Sequence, residues 1–148
     1  MVEKQIAKVE GKSLPISKKH AVEVGNFIRR KPLAKAKQHL ALVLEQKMAV
    51  PLRRFYKDQP HRRGRGMAAG SYPLKATKHV LQLLNSVEKN ALNLGMDVTN
   101  LIVQTYMANT AETRMHSGRH SGRSMRRAHI RIEVAEGKKQ TPKKEDKK

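Results

Sequence analysis

Leu101-Ile102-Val103-Gln104-Thr105-Tyr106-Met107 alternates with a period of two: Leu101, Val103, Thr105 and Met107 fall on one side of an extended chain, Ile102, Gln104 and Tyr106 on the other. This reads as a strand. A second alternating run, Ala128, Ile130, Ile132 and Val134 against His129, Arg131 and Glu133, follows later. Between the two runs, residues 109–127 are polar, and the tetrads Ser117-Gly118-Arg119-His120 and Ser121-Gly122-Arg123-Ser124 repeat at a period of four. Two strands joined by a glycine-rich turn make an extended hairpin over about 101–134. Paired continuously from Leu101 to about residue 117, it would reach on the order of 50 Å at ~3.3 Å per residue. That exceeds the ~13 Å radius of gyration of a 100-residue domain, so most of it is expected to project.

Upstream the period is helical. After a short apolar alternation around Ile6 and Val9, Ser17 stands at an N-cap position before a helix over 18–31, with Ala21, Val24, Phe27 and Ile28 on one face. Pro32 restarts the chain in the first turn of a second helix, where Leu33, Ala36, Leu40, Val43 and Leu44 repeat the spacing as far as Lys47. A third helix runs from Pro73 to Leu94, with Val80, Leu84, Val87, Ala91 and Leu94 in one stripe, Asn85, Asn90 and Asn93 on the wet side, and Gly95 at C′. Residues 48–71 break the pattern with Pro51, Pro60, Gly64, Gly66 and Gly70, and carry Arg53, Arg54, Lys57, Arg62, Arg63 and Arg65 against the single acid Asp58. A loop this long is uncommon in a compact domain unless it is functional or disordered, and its guanidinium groups predict that it lies on a polyanion.

Residues 1–136 thus form one domain. Residues 137–148 hold six Lys, two acids and no apolar side chain, the composition of a disordered tail.

Of 148 residues, 32 are Lys or Arg and 12 are Asp or Glu, a net charge of +20, while aromatics make up 3% and Trp is absent. The core must be small and aliphatic, and the expected partner is a nucleic acid or an anionic surface. With no cysteine, disulfide frameworks, zinc ribbons and thiol nucleophiles are excluded. The longest apolar run in the helical region, residues 40–44, falls far short of the ~20 residues a membrane span needs. The charged first 12 residues contain no signal-peptide core. A cytoplasmic protein is expected.

The chemistry lies in charge of one sign. From Arg114 to Arg131 there are six Arg (114, 119, 123, 126, 127, 131), three His (116, 120, 129) and no acid. A solvated structural face intersperses both signs, so nucleic-acid binding outweighs the bland reading. Arg suits fixed phosphate contacts and the Lys-rich tail a diffuse counter-charge. Arg63-Gly64-Arg65-Gly66 resembles an arginine-glycine segment that orders on RNA. Phe55 and Tyr56 read as a loop anchor ahead of a base-stacking platform. His116 and His120, four apart but without a carboxylate or Cys nearby, read as further phosphate or base contacts and not as metal ligands. His39 and His79 fall within helices, solvated or satisfied locally. No serine or threonine has a base-and-orienter pairing, and no Walker or dinucleotide glycine pattern occurs, so neither catalysis nor a cofactor is expected.

In order and spacing, several motifs resemble the universal large-subunit ribosomal protein of family twenty-two, in its archaeal and eukaryotic-like branch. They are Ile6-Ala7-Lys8, Ser17 before Lys18-Lys19-His20-Ala21, Ile28-Arg29-Arg30, Ala49-Val50-Pro51-Leu52-Arg53-Arg54, Gly70-Ser71-Tyr72-Pro73-Leu74-Lys75-Ala76, Asn90-Ala91, and Gly118-Arg119 followed by His129-Ile130. The resemblance spans about residues 3–134, and the insertion over 50–73 points to that branch. Before the tip glycine the family's Pro-Arg-Ala is replaced by Arg114-Met115-His116-Ser117. Of the family's Lys-Arg-Thr-Ser-His-Ile, only Arg126, His129 and Ile130 are kept.

The resemblance implies an α+β fold: three helices packed on a small antiparallel sheet, with a long projecting β-hairpin. It also implies a non-catalytic constituent of the ribosome, bound to large-subunit rRNA beside neighbouring ribosomal proteins, whose hairpin lines the nascent-peptide exit tunnel. Residues and resemblance together give an rRNA-binding set of Lys18, Lys19, Arg29, Arg30, Arg53, Arg54, Arg62, Arg63, Arg65, Arg126, Arg127 and His129. The expected tunnel tip is Arg114, His116, Gly118, Arg119, His120, Gly122 and Arg123. The rival is a DNA-compacting architectural protein with a basic β-arm, a class whose arms usually end in a wedge such as Pro, which this tip lacks.

Overall fold

Alternating apolar residues make a three-stranded antiparallel sheet from β1 (Ile6–Leu14), β4 (Leu101–Thr110) and β7 (Ala128–Glu136), in the order β1-β7-β4. The computed structural model describes residues 5–64 and 66–137. Helices α1 (Lys18–Ile28), α2 (Leu33–Leu44) and α3 (Leu74–Asn93) complete the α+β layer: α1 packs on β4, α3 on β1, and α2 against α3. Ala128, Ile130, Ile132 and Val134 of the central strand are all buried against Val24, Ile28, Leu40, Val80, Leu84 and Val87. The core is aliphatic, as so few aromatics dictate. Lys37 and Glu88, 2.6 Å apart, join α2 to α3, and Asn90, on the expected wet side, donates to the Lys8 carbonyl at 2.9 Å.

The helix ends follow backbone hydrogen bonding. Ser17 occupies the N-cap of α1 without a side-chain capping bond. That helix stops at Ile28, three residues before the expected end, because Arg30 turns to φ +63° and the chain joins the sheet: the Arg30 N–H donates to the Val103 carbonyl (2.8 Å) and the Val103 N–H to the Lys31 carbonyl (3.1 Å). Pro32 consequently sits at the N-cap of α2 and not inside its first turn. At the end of α3, Gly95 takes φ +72°, its N–H reaches Leu92 and the Met96 N–H reaches Ala91, a Schellman motif closed by the buried Met96 side chain.

Three expectations change. Strict alternation in β4 fails after Val103: Val103 pairs with Val134 and Thr105 with Glu133, so Gln104 is an extra bulged residue. The bulge reverses the faces, turning Tyr106 and Ala108 toward the core and leaving Met107 45% exposed. Secondly, the hairpin is not paired continuously. β4 and β7 pair as far as Thr110 with Ala128, the Ala111 N–H reaches the Arg127 carbonyl, and pairing resumes only between β5 (Arg114–Met115) and β6 (Ser124–Met125). Thirdly, residues 48–71 are not free of structure: β2 (Val50–Pro51) pairs with β3 (Gly70–Ser71), and His61 bridges Ala69. Arg65 and all of the expected tail except Gly137 lie outside the described residues.

Candidate nucleic-acid interface

The basic loop is held by an acid. Glu23, on the inner side of α1 with no exposed surface, accepts the backbone N–H groups of Arg53 (3.1 Å), Arg54 (2.8 Å) and Phe55 (2.8 Å). Successive N–H groups converging on one carboxylate are strong hydrogen bonds, and they fix the loop backbone while its side chains stay outside. Arg53, Arg54, Arg62 and Arg63 are exposed. The Arg54 guanidinium lies 5.3 Å from the Phe55 ring centroid and that of Arg62 5.4 Å from Tyr72. These rings orient the cations without neutralising them.

A cleft of about 390 Å³ opens between α1, this loop and the root of the arm (the hairpin segment 111–127 between β4 and β7), bordered by Lys19, His20, Arg54, Phe55, Tyr56, Lys57 and Arg126. Phe55 is half-buried, as an anchor should be, whereas Tyr56 is 55% exposed. Lys19 stands 5.7 Å from the Phe55 centroid. Burial, and secondarily the Arg126 guanidinium, lower the pKa of His20. Lys18 is exposed at the start of the same helix.

Other candidates lie elsewhere. Arg29 and Arg30 are exposed near Ile102 and Gly137, at the opposite end of β4 from the arm. They lie at the C-terminal end of α1, whose N-terminal half borders the cleft, ten residues and roughly 15 Å along the helix from Lys19. At the root of the arm Arg127 is turned inward: its guanidinium donates to the Ser13 carbonyl (3.3 Å) and hydroxyl (3.2 Å). His129 accepts the Ser13 N–H on Nδ1 at 3.1 Å. Both side chains tie the arm to β1. Arg114, His116, Gly118, Arg119, His120, Gly122 and Arg123 are all exposed; Gly118 (φ +69°) opens a short 3-10 turn, Gly118–His120, and Gly122 (φ +88°) follows it, both in the left-handed region.

Among the described residues the ion pairs use Lys37, Lys47 and Arg131, and none uses an arginine of the loop or of the arm tip. Lys31 is also engaged, 3.9 Å from the Phe27 centroid and 3.2 Å from His39 Nδ1, so His39 is satisfied locally. A row of exposed, unpaired guanidinium groups on a folded scaffold is a surface for phosphates.

The family model for ribosomal protein L22p/L17e matches residues 9–136. The chain belongs to that family. Large ribosomal subunit protein uL22 of Nanoarchaeum equitans is 42% identical over 147 residues, covering 94% of this chain and 83% of the relative. The proteins of the same description from Methanoculleus marisnigri and Aeropyrum pernix are 38% and 34% identical, covering 87% and 90% of this chain and 87% and 92% of those relatives. An L22p/L17e protein is a structural, non-enzymatic constituent of the ribosome, and the DNA-compacting alternative is not favoured.

Sequence reasoning missed Glu23, His20 and Tyr72. Glu23 lies beside the apolar stripe of α1, and nothing in its spacing distinguishes it from a solvated acid. Its partners, backbone N–H groups about thirty positions away, leave no trace in residue type.

Proposed function

We propose that this L22p/L17e chain holds large-subunit rRNA through its loop and the start of α1, and that its arm reaches past that anchor to border the nascent-peptide exit tunnel. The observation that carries the reading is the set of exposed arginines with no acid partner, Arg53, Arg54, Arg62 and Arg63 on the loop and Arg114, Arg119, Arg123 and Arg126 on the arm. Lys18 and Lys19 add charge beside the loop, Arg29 and Arg30 form a second contact at the far end of the sheet, and Arg65 falls within the same arginine-glycine segment. Residues 1–136 act as one binding domain, and the Lys-rich 137–148 supplies diffuse counter-charge. Arg127 and His129 serve the interface by fixing the arm's root. His116, Gly118, His120 and Gly122 shape the tip that faces peptide.

Neighbouring ribosomal proteins and rRNA are the partners, in the cytoplasm. Recognition is by backbone charge and shape, since the candidate contacts are guanidinium and ammonium groups suited to phosphates. Gradient fractionation with an immunoblot tests this: the protein is expected in large subunits and in translating ribosomes. Sedimentation with nucleoid DNA and absence from large subunits would contradict it.

A further inference from the structure

Backbone charge alone does not require an aromatic wall, yet the cleft between α1 and the loop has one. Tyr56 stands at its mouth, 55% exposed, and Phe55 lies deeper. Ser17, His20 and Gln59 line the cleft with polar groups, the last two exposed, while Lys19, Arg54, Lys57 and Arg126 border it from α1, the loop and the arm. The one carboxylate that lines it, Glu23, has both oxygens engaged by backbone N–H groups. The His20 imidazole, its pKa lowered by burial and by the Arg126 guanidinium, brings ring nitrogens to the same opening. Cations, polar donors and acceptors and an aromatic ring about one opening match the parts of a nucleotide. The volume, about 390 Å³, lies in the range of a small-ligand site.

We propose that this cleft receives one unstacked nucleotide of the bound RNA. Its base lies on Tyr56 against Phe55, its edge meets His20 and Gln59, and the flanking phosphates rest on Lys19, Arg54 and Arg126. Sequence-tolerant capture of a splayed base on an aromatic side chain is a common mode of RNA recognition. Lys19, Arg54, Lys57 and Arg126 come from α1, the loop and the arm, an arrangement that suits a strand passing over the mouth. The inference rests on the rRNA-binding reading and adds to it a single-base subsite.

The test is binding of the full-length chain to an archaeal large-subunit rRNA transcript across a salt series, with ultraviolet cross-linking of the complex. Tyr56→Ala is expected to lose about five- to hundredfold in affinity, the cost of one base–aromatic stack, with an unchanged salt slope. Tyr56→Phe, which keeps the ring, recovers most of the loss, and cross-links fall on residues 55–56. Arg54→Ala instead lowers the salt slope by about one unit. Tyr56→Ala binding like the original chain, or Tyr56→Phe binding as weakly as Tyr56→Ala, overturns the subsite and leaves rRNA binding intact. Saturation by AMP alone at micromolar concentration would assign the cleft to a free nucleotide and also overturn it. No binding of the transcript by the unaltered chain would overturn the rRNA-binding reading and the subsite together.

Discussion

Glu23 Oε1 accepts the backbone N–H of Arg54 at 2.8 Å, joining the buried side of α1 to the middle of the cationic loop. In a chain with a net charge of +20, one buried acid holds the loop from beneath and leaves its guanidinium groups to the solvent side. The acid is spent on the backbone and not on the arginine side chains, so loop order and loop charge are set separately.

Glu23→Ala should therefore strip three N–H groups of their acceptor at once. A loss of about 2–3 kcal/mol in unfolding free energy is expected, read by denaturant titration, together with faster hydrogen exchange at residues 53–55. Glu23→Gln, which keeps an acceptor oxygen, should lose less. Equal stability of Glu23→Ala and the unaltered chain would show that the loop is held by other contacts.

The strands and helices were legible because their apolar residues repeat at 2 or 3.6. Ile130, Ile132 and Val134, and Val80, Leu84 and Val87, are buried as that spacing requires. The bulge at Gln104 was not, since one inserted residue leaves the composition of β4 unchanged while exchanging its faces. The arginines of the loop and arm were visible as charge of one sign. Which cations are engaged internally was not: Arg127 and Arg126 are neighbours of the same type, yet Arg127 bonds to Ser13 and Arg126 borders the cleft. That difference depends on where β1 ends, which no local pattern encodes.

The exchange of faces in β4 brings the Tyr106 ring onto Gly25, where a Cβ would overlap it. Gly25→Ala is expected to destabilise the fold by about 1–3 kcal/mol through overpacking. Adding Tyr106→Leu should recover part of the loss, a coupling that a double-mutant cycle measures. Additive effects would mean that the ring and the helix do not meet.

Tyr106 also gives a pH signature. Its hydroxyl is buried with no partner among the described residues, and burial raises the phenol pKa well above its ordinary value. The folded state therefore holds the proton more tightly than the unfolded one. The corresponding stability is present below about pH 10 and is lost as pH rises above it. Denaturation midpoints measured from pH 9 to 11 should fall less steeply in Tyr106→Phe. At neutral pH that variant should match or slightly exceed the original stability, because an unpaired buried hydroxyl is removed. Parallel pH profiles would contradict a buried phenol.

Arg127 and Ser13 set the root of the arm. Arg127→Ala should cost about 1 kcal/mol and speed hydrogen exchange at Ala111, whose N–H bonds to the Arg127 carbonyl, without altering the salt slope of RNA binding. A slope lowered by one unit would instead place Arg127 on a phosphate.

The most direct measurement is large-subunit occupancy, by gradient fractionation and immunoblot, of two variants of the full-length chain. One lacks residues 114–123 and closes the strands with a tight turn; the other replaces Arg53, Arg54, Arg62, Arg63 and Arg65 with Ala. If the loop is the anchor and the arm only extends from it, the first variant incorporates nearly as well as the unaltered protein and the second is depleted, with weaker and less salt-dependent RNA binding. A tip deletion that abolishes incorporation beside a five-arginine variant that assembles normally would contradict the account and make the arm the anchor.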